Sequence, residues 1–252
     1  MLTPDPLQPP LELTSHLKRA RHAVVLTGAG MSAESGIPTF RDQGTGLWAN
    51  FDPAKLATEQ AFRKDPGTVW AWYETRRRQV ARAQPNPGHV GLAKLAGLPW
   101  LQDFCIVTQN VDDLHERAGS ASVLHLHGSL FAPRCLACAR PFEEDLDALH
   151  GALEEEPASL PPPRCTHCGG QVRPGVVWFG ESLPEAPWMQ AMARIGKADL
   201  LLVIGTSGQV YPAASLPAAA RRHGCKVVVI NPDGDVGGEE CDLHWQVPAA
   251  QG

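Results

Sequence analysis

The chain has 252 residues and a formal net charge of −5, which argues against a general nucleic-acid binder because such proteins carry a basic patch or stripe. No apolar stretch reaches the roughly 18 residues of a membrane span, and the N-terminus lacks the basic start and apolar run of a signal peptide. We therefore expect a cytoplasmic protein of one large domain, or one domain with a small satellite, that has no membrane partner and binds no nucleic acid directly.

The first strand predicted along the chain, over residues 23–27, runs directly into a glycine-rich loop. Gly28 and Gly30 would let the backbone turn tightly and approach a pyrophosphate. Ser32 and Ser35 could cap a short helix whose free N–H groups attract the anion. Taken alone the loop is weak evidence, because tight strand-to-helix turns need glycine whether or not a nucleotide binds.

A first insertion, over residues 42–84, holds no convincing strand and is built around one amphipathic helix. Tyr73 and Arg76 lie three residues apart on that helix and share a face. A phenol beside a guanidinium can bind a carboxylate, the guanidinium through a bidentate fork. The alternative is a solvated basic face, because Arg77 and Arg78 adjoin and charged residues usually lie exposed on helices.

Polar residues follow the next two predicted strands. Asn110 and Asp112 come after the strand over residues 104–108 and could hydrogen-bond a carboxamide or a ribose, although these residue types also shape turns without any ligand. Either His125 or His127 could act as a general base, because the unperturbed pKa of imidazole, about 6.5, lets it accept a proton near neutrality. Strand alternation places both on one face, so periodicity does not choose between them.

A second insertion, over residues 135–172, contains two Cys-x-x-Cys pairs. Four thiolates in two turns favour tetrahedral zinc and leave no open position for water, so we expect a structural ion. Redox dithiols are the alternative, but no thioredoxin-like pattern accompanies the pairs. His167 lies between the ligands of the second pair and could replace one. The predicted ligands are Cys135, Cys138, Cys165 and Cys168.

Several apolar runs are rich in Val and Ile and do not alternate, as is typical of strands buried on both faces of a parallel sheet. Strands are predicted over residues 23–27, 104–108, 123–126, 176–179, 200–204 and 226–230, and helices over residues 13–21, 66–83, 89–96 and 188–196. The predicted fold class is α/β, a doubly wound Rossmann-like parallel sheet with a smaller zinc-binding and helical lobe formed by the two insertions. The sheet domain would comprise residues 12–41, 85–134 and 173–249, the helical insertion residues 42–84 and the zinc-ribbon-like module residues 135–172.

Five of these strand ends carry short polar or glycine motifs, which should meet at one edge of the sheet. A dehydrogenase would also need an acidic ribose ligand about 20 residues beyond the glycines, at the end of the next strand. That region holds Gly46-Leu-Trp48 and no strand. The sequence therefore favours a nucleotide site of another kind.

In their order along the chain, the motifs resemble those of sirtuins, a family of NAD-dependent protein-lysine deacylases. The resemblance covers roughly residues 13–249, and the ordered set is far more specific than any one motif. The motifs are GAGMSAESGIPTFR at 28–41, GLW at 46–48, TQNVD at 108–112, HG at 127–128, the two cysteine pairs, VWFGE at 177–181, GTS at 205–207 and Asn231.

The resemblance implies that NAD binds at the glycine loop and the strand ends and is consumed as a co-substrate. Of the two histidines, it implies that His127 is the general base, with Asn110 as a second catalytic residue. The implied NAD contacts are Gly28, Ala29, Gly30, Ser32, Ala33, Gly36, Ile37, Pro38, Thr39, Phe40, Arg41, Trp48, Gln109, Asn110, Val111, Asp112, Gly205, Thr206, Ser207, Asn231, Pro232, Asp233 and Ala249.

In the implied mechanism the acyl-lysine oxygen of a protein or peptide substrate attacks the ribose C1′ as nicotinamide leaves. The histidine then helps the 2′-hydroxyl attack the resulting imidate, and the products are lysine, nicotinamide and O-acyl-ADP-ribose. Tyr73, Arg76 and the small Ala57 are similar to the pocket of sirtuins that remove succinyl and malonyl groups, which favours the acid pocket over a solvated face. Val177 and Phe179 would help to hold the substrate peptide by β-strand addition.

Two other functions remain open from the sequence. A mono-ADP-ribosyltransferase would use the same NAD site but leave ADP-ribose on protein. A non-catalytic NAD or zinc scaffold would bind the cofactor without releasing nicotinamide, and His127 and the complete NAD loop argue against it.

Overall fold

The computed structural model describes residues 8–39, 53–151, 157–233 and 241–252. Three of the predicted NAD contacts, Phe40, Arg41 and Trp48, lie outside these ranges. No helix in the described ranges combines the length and the apolar character needed to cross a membrane.

A parallel sheet of six strands forms the centre of the described chain, and two further strands form a separate antiparallel pair. In chain order the strands are β1 (His22–Thr27), β2 (Asp103–Thr108), β3 (Val123–His125), β4 (Gly128–Cys135), β5 (Val172–Val176), β6 (Leu200–Ile204), β7 (Lys226–Ile230) and β8 (Leu243–Trp245). The parallel sheet has the order β3-β2-β1-β6-β7-β8. The order in which strands are added changes side between β1 and β6: β2 and β3 lie on one side of β1, and β6, β7 and β8 lie on the other. Ligands of doubly wound sheets bind at this switch point.

Helices cover both faces of this sheet. They are α1 (Leu11–Arg19), α2 (Gly30–Ala33), α3 (Pro53–Leu56), α4 (Glu59–Lys64), α5 (Pro66–Arg82), α6 (Pro87–Leu95), α7 (Leu114–Arg117), α8 (Leu146–His150), α9 (Glu185–Ile195) and α10 (Leu216–Arg222), with a 3-10 turn at Ala213–Ser215. Alternate residues of β1 face opposite layers. Val24 and Leu26 pack with α9 and α10, whereas Ala23 and Val25 pack with α1 and α6. The predicted doubly wound α/β fold is confirmed.

The two insertions share one hydrophobic core. Phe62 and Trp70 of the first insertion pack in the same cluster as Cys135 and Cys165 of the second. The insertions therefore form one smaller lobe, as predicted, in which β4 and β5 pair antiparallel beside α5.

Helix α5 carries the predicted acid-binding face, and its start is fixed by local chemistry. The carboxylate of Asp65 accepts the backbone N–H of Thr68 at 3.1 Å, and Pro66 occupies the first helical position. A side-chain cap followed by proline is a strong helix start, because it satisfies one exposed N–H and removes another. The face that α5 turns toward the lobe is therefore set from its first turn.

The prediction of a strand over residues 176–179 is wrong. Strand β5 ends where that strand was predicted to begin, and it pairs with β4 outside the parallel sheet. The backbone N–H groups of Val177 and Phe179 donate to single carbonyls on two other segments and not to a neighbouring strand. Apolar composition alone does not distinguish a strand from an extended segment that is anchored in this way.

Candidate functional site

The loops that follow β1 and β6 are packed backbone to backbone at the switch point. A Cβ atom on Gly28 would lie 2.8 Å from the Cα of Thr206, and one on Gly30 would lie 2.8 Å from the Cα of Gly205. The N–H of Gly30 donates to the carbonyl of Gly205 at 2.8 Å. Gly205 itself has a φ of +59°, a conformation that other residues rarely adopt. Loop packing is thus a sufficient reason for these glycines, in addition to any nucleotide contact.

The predicted helix cap after β1 is wrong. Ser32 lies inside α2, whose N-cap is Ala29 with no side-chain hydrogen bond. The hydroxyl of Ser35 accepts a hydrogen bond from the amide of Asn86 at 3.1 Å. Both serines therefore bond to side chains of other segments and not to the first turn of the helix.

Ser32 instead joins the two polar residues that follow β2. Its hydroxyl accepts from the Nδ2 of Asn110 at 3.1 Å and donates to the Oδ2 of Asp112 at 2.9 Å. The second carboxylate oxygen of Asp112 accepts the N–H of Leu114 at 3.1 Å. Burial raises the pKa of Asp112, although these two hydrogen bonds favour its charged form. Asn110, Asp112 and Ser32 form one buried polar cluster at the sheet edge.

A second chain of hydrogen bonds crosses the ends of β2, β6 and β7. The amide of Gln109 donates to the hydroxyl of Thr206 at 3.0 Å, and the amide of Asn231 donates to the carbonyl of Thr206 at 3.0 Å. The N–H of Asp233 donates to the side-chain oxygen of Asn231 at 3.0 Å. The structure thus brings together the residues that were predicted from separate motifs to hold the nucleotide.

The two histidines differ in their partners. The Nδ1 of His127 lies 3.0 Å from the carbonyl of Gln109, and because a carbonyl only accepts, this nitrogen carries the proton and leaves Nε2 as a base. Burial lowers the pKa of His127. His125 lies with Nδ1 3.1 Å from the carbonyl of Asn110 and Nε2 2.7 Å from the carboxylate of Glu116. Although burial opposes its charge, Glu116 raises the pKa of His125.

The remaining predicted NAD contacts are spread around this edge. Ala33, Gly36, Pro38, Ser207 and Pro232 are exposed, and Ile37 and Thr39 are half-buried. The carbonyl of Val111 accepts the N–H of Leu130 at 2.9 Å. Ala249 is buried in the core beside α6, so its methyl group is turned away from solvent.

The predicted acyl-pocket residues lie in the smaller lobe. Ala57 and Tyr73 are buried in its core, and the Nε1 of Trp178 donates to the phenol oxygen of Tyr73 at 3.1 Å. The guanidinium of Arg76 is half-buried, donates to Gln79 at 2.9 Å and lies over the ring of a neighbouring tryptophan at 5.2 Å. Burial raises the pKa of Tyr73, which therefore stays a neutral phenol.

The neighbouring arginines do not form a solvated basic face. Arg77 is 9% exposed, and both Arg77 and Arg78 bond to the buried carboxylate of Glu74, at 2.7 and 2.9 Å. Arg77 also bonds to Asp147 of the second insertion, which ties α5 to α8. The charges of Arg77 and Arg78 are thus paired with carboxylates of the lobe.

The four predicted zinc ligands converge. Their sulfur atoms all lie within 4.8 Å of one another, with Cys135 and Cys168 at 3.5 Å and Cys138 and Cys165 at 3.8 Å. Tetrahedral zinc with Zn–S bonds of about 2.3 Å would place sulfurs roughly 3.8 Å apart, so the cluster fits this ion. A Cβ on Gly170 would lie 3.1 Å from the Sγ of Cys135, which explains the glycine beside the ligands.

His167 does not belong to this cluster. Its ring nitrogen lies 3.1 Å from the guanidinium of Arg140, on the outside of the turn. The metal cluster found in the described residues consists of the four cysteines.

Two groups near the site carry no clear signal in the sequence. His89 and His115 are fully buried with ring centroids 4.8 Å apart, and the Nε2 of His115 lies 3.1 Å from the hydroxyl of Thr27. Burial lowers the pKa of His89 to about 4 and that of His115 to about 3. Trp178 is the second group, because its apolar run predicts a strand and not a hydrogen bond to Tyr73.

Comparison with known proteins places these features in one family. A model of the Sir2 family matches residues 28–212. The chain is 58% identical to NAD-dependent protein deacylase 1 of Pseudomonas aeruginosa over 217 residues, which are 86% of this chain and 85% of that protein. It is 49% identical to NAD-dependent protein deacylase 1 of Archaeoglobus fulgidus over 222 residues, 88% and 86% of the two chains.

Solved structures agree with the sequence relatives. A Sir2 homologue in complex with NAD superimposes with a TM-score of 0.84 at 45% identity, covering 97% of this chain and 91% of that one. Sir2Tm bound to a propionylated peptide superimposes with a TM-score of 0.79 at 30% identity, covering 95% and 93%.

Proposed function

The chain belongs to the Sir2 family and is an enzyme of NAD-dependent deacylation, and we propose that it removes succinyl and malonyl groups from lysine at least as well as acetyl groups. The observation that carries this proposal is the buried phenol of Tyr73 three residues before the guanidinium of Arg76 on α5. Its substrates would be acylated lysines of proteins or peptides, in the cytoplasm, where thiols such as the seven of this chain stay reduced.

The acyl pocket is supported by what surrounds Tyr73 and Arg76. Tyr73 can donate its phenol hydrogen, and the guanidinium of Arg76, which donates to the side chain of Gln79, has the fork geometry that binds a carboxylate. Arg77 and Arg78 are held by carboxylates of the lobe and cannot serve as that cation without breaking buried ion pairs. Ala57 belongs to the same buried core as Tyr73, and its small side chain would take up little of the space that an acyl chain needs.

The NAD site is supported by the polar residues of the sheet edge. When bound, NAD supplies a ribose carbon whose bond to nicotinamide is exchanged for one to the acyl oxygen. Asn110 and Asp112 would receive the carboxamide and ribose of the reacting half. Gln109 would line the same nicotinamide and ribose pocket, and Thr206 and Asn231 would hold the adenosine half. Hydrogen bonds from Gln109 and Asn231 to Thr206 fix these residues across three strand ends.

His127 is the residue that we assign as general base. Its Nδ1–H donates a hydrogen bond to the backbone carbonyl of Gln109, so Nε2 is available to take a proton from a ribose hydroxyl. The lowered pKa keeps the ring neutral at pH 7. His125 is a poor base by contrast, because both of its nitrogens face acceptors. The zinc ion would be structural, since four cysteines leave it no open position.

The acyl preference is tested with matched succinyl-lysine and acetyl-lysine peptides. We expect Arg76→Met to lower kcat/KM for the succinyl peptide roughly 10- to 100-fold, because a hydrogen bond to a charged group is lost, and Tyr73→Phe to lower it less. The acetyl reaction should change little in either variant. Arg63→Met, which removes an exposed arginine paired with Glu59, is the control and should alter neither reaction. Substitutions at Tyr73 and Arg76 that leave the succinyl reaction untouched would overturn the proposal.

The reaction class is tested by following labelled NAD. A deacylase transfers the acyl group to ADP-ribose, so the adenine label stays in a small molecule and deacylated peptide forms in equal amount. Label that accumulates on protein instead would identify a mono-ADP-ribosyltransferase.

A further inference from the structure

Three consecutive residues, Val177, Trp178 and Phe179, hold the proposed base and the proposed acyl pocket together. The N–H of Val177 donates to the carbonyl of His127 at 2.8 Å. The N–H of Phe179 donates to the carbonyl of Ala57 at 2.9 Å. Trp178 lies between these anchors and turns its side chain into the core of the smaller lobe, where it is 2% exposed. Its side chain is therefore fixed relative to both parts of the site.

Trp178 is itself held on several sides. Its backbone N–H donates to the carboxylate of Glu181 at 2.8 Å, and its ring packs on Phe62 with centroids 5.4 Å apart. The guanidinium of Arg173 lies 3.5 Å from the ring centroid and forms a two-fold ion pair with Glu181. Such an arrangement leaves the indole little freedom to rotate.

The indole N–H determines what the phenol of Tyr73 can do. It donates to the phenol oxygen at 3.1 Å and so occupies an acceptor position of the hydroxyl. The phenol hydrogen is left on the side away from the indole, and no acceptor for it occurs among the residues that the structure describes. A buried hydroxyl hydrogen without an acceptor is unfavourable, so the site is prepared for a ligand that accepts a hydrogen bond.

We propose that Trp178 is a positioning residue that makes Tyr73 a fixed hydrogen-bond donor toward the acyl group and thereby favours acyl chains that end in a carboxylate. This inference rests on the proposed function, because it assumes that the acyl chain reaches Tyr73. A phenol whose hydroxyl could rotate would lose this bias, since it could offer a lone pair to the ligand as readily as a hydrogen.

The test is a double-mutant cycle on the ratio of kcat/KM for succinyl and acetyl peptides. Trp178→Phe removes the indole N–H, and we expect it to lower this ratio roughly 5- to 10-fold, the loss of about one neutral hydrogen bond, mainly through a higher KM for the succinyl peptide. In a Tyr73→Phe background the same change should lower the ratio no further, because Trp178 acts through the phenol.

A matched control separates this role from a general loosening of the lobe. Trp70→Phe also removes a buried indole N–H from the same core, one that donates to His150 at 3.2 Å, and it should leave the ratio unchanged. If Trp178→Phe does not fold, benzothienylalanine at position 178 keeps the ring shape and removes only the N–H, with the same expected result.

The outcomes distinguish the two proposals. A wild-type enzyme without succinyl activity, or one whose succinyl activity does not depend on Tyr73, overturns the proposed function and this inference together. Succinyl activity that depends on Tyr73 but not on Trp178, an equal shift in Trp70→Phe, or an additional loss in the double variant overturns the inference alone.

Discussion

At the scale of single residues, partners and not residue types set the charge of the two histidines near the site. His125 and His127 are separated by one residue, yet the pKa of the first is raised by Glu116 and that of the second is lowered by burial. The carbonyl of Gln109 fixes the tautomer of His127, whereas both nitrogens of His125 face acceptors, which favours its protonated ring. The local sequence His-Leu-His contains neither Glu116 nor Gln109, so the assignment of a base depends on tertiary contacts.

The pH profile of the reaction tests this assignment. Since His127 must be neutral to act as a base and its pKa is lowered, kcat/KM should fall with unit slope on the acid side, with a midpoint below the ordinary imidazole value of about 6.5. His127→Ala should lower formation of deacylated peptide roughly 100- to 10,000-fold. An acid limb with its midpoint above pH 6.5, or full activity of the folded alanine variant, would assign the base elsewhere.

At the scale of elements, α6 and α7 meet through two buried histidines beneath the nucleotide edge. Their ring centroids lie 4.8 Å apart with the ring planes tilted by 58°, and burial lowers both pKa values well below the ordinary value. His125 opposes the charging of His115 as well, whereas Glu116 favours it. Each ring must therefore remain neutral for the two helices to stay packed.

This packing predicts acid sensitivity. The unfolded histidines take up protons below about pH 6.5 while the folded ones do so only near pH 4 and pH 3, so the stability that the neutral pair contributes is present above pH 6.5 and is lost as the pH falls. Between pH 7 and pH 5 the free energy of unfolding should fall by up to roughly 2 kcal/mol for each histidine. Urea unfolding across this range measures it. His115→Gln should reduce the slope by about half, and replacement of the exposed His223 by Gln should not; equal slopes in both variants would contradict the explanation.

The sequence predicts the elements of the parallel sheet well because strands buried on both faces are apolar runs without alternation. The strands predicted at β1, β2, β3, β6 and β7 match the observed strands to within one residue at each end. The predicted helices match the observed helices to within three residues at each end. Strands β4 and β5 were missed because Gly, Pro and Arg interrupt them, and β8 because it has three residues. The site residues at the strand ends could be predicted because the fold brings these ends to one edge. The positions of Trp178 and of the pair His89 and His115 could not be predicted, because they depend on contacts between segments that are distant in the sequence.

At the scale of the whole molecule, the proposed acyl pocket lies in the same lobe as the cysteine cluster. Cys135 and Cys165 lie in the same hydrophobic core as Ala57, Tyr73 and Trp178. The cluster joins two turns that are 26 residues apart in the sequence. A metal there closes a long loop of the chain and so limits the unfolded states of the lobe.

Metal removal tests this arrangement. We expect one zinc per chain, and chelation should lower the Tm by several degrees and reduce deacylation, with both restored by added zinc, because the cluster supplies folding energy to the lobe. Cys138→Ser should lower the zinc content, whereas Cys241→Ser, outside the cluster, should keep it. A zinc content unaffected by Cys138→Ser, or removal of zinc with no change in Tm, would contradict a structural ion.

The segment Val177–Phe179 limits the depth of the proposed acyl compartment. Its first N–H donates to the carbonyl of His127 and its third to the carbonyl of Ala57, and two residues of backbone span at most about 7 Å. While both hydrogen bonds are intact, the backbones of His127 and Ala57 cannot move farther apart than this short segment allows. If the proposed pocket holds the acyl chain, we expect the preferred acyl length to depend on the side chains that fill this space more than on movement of the two lobes.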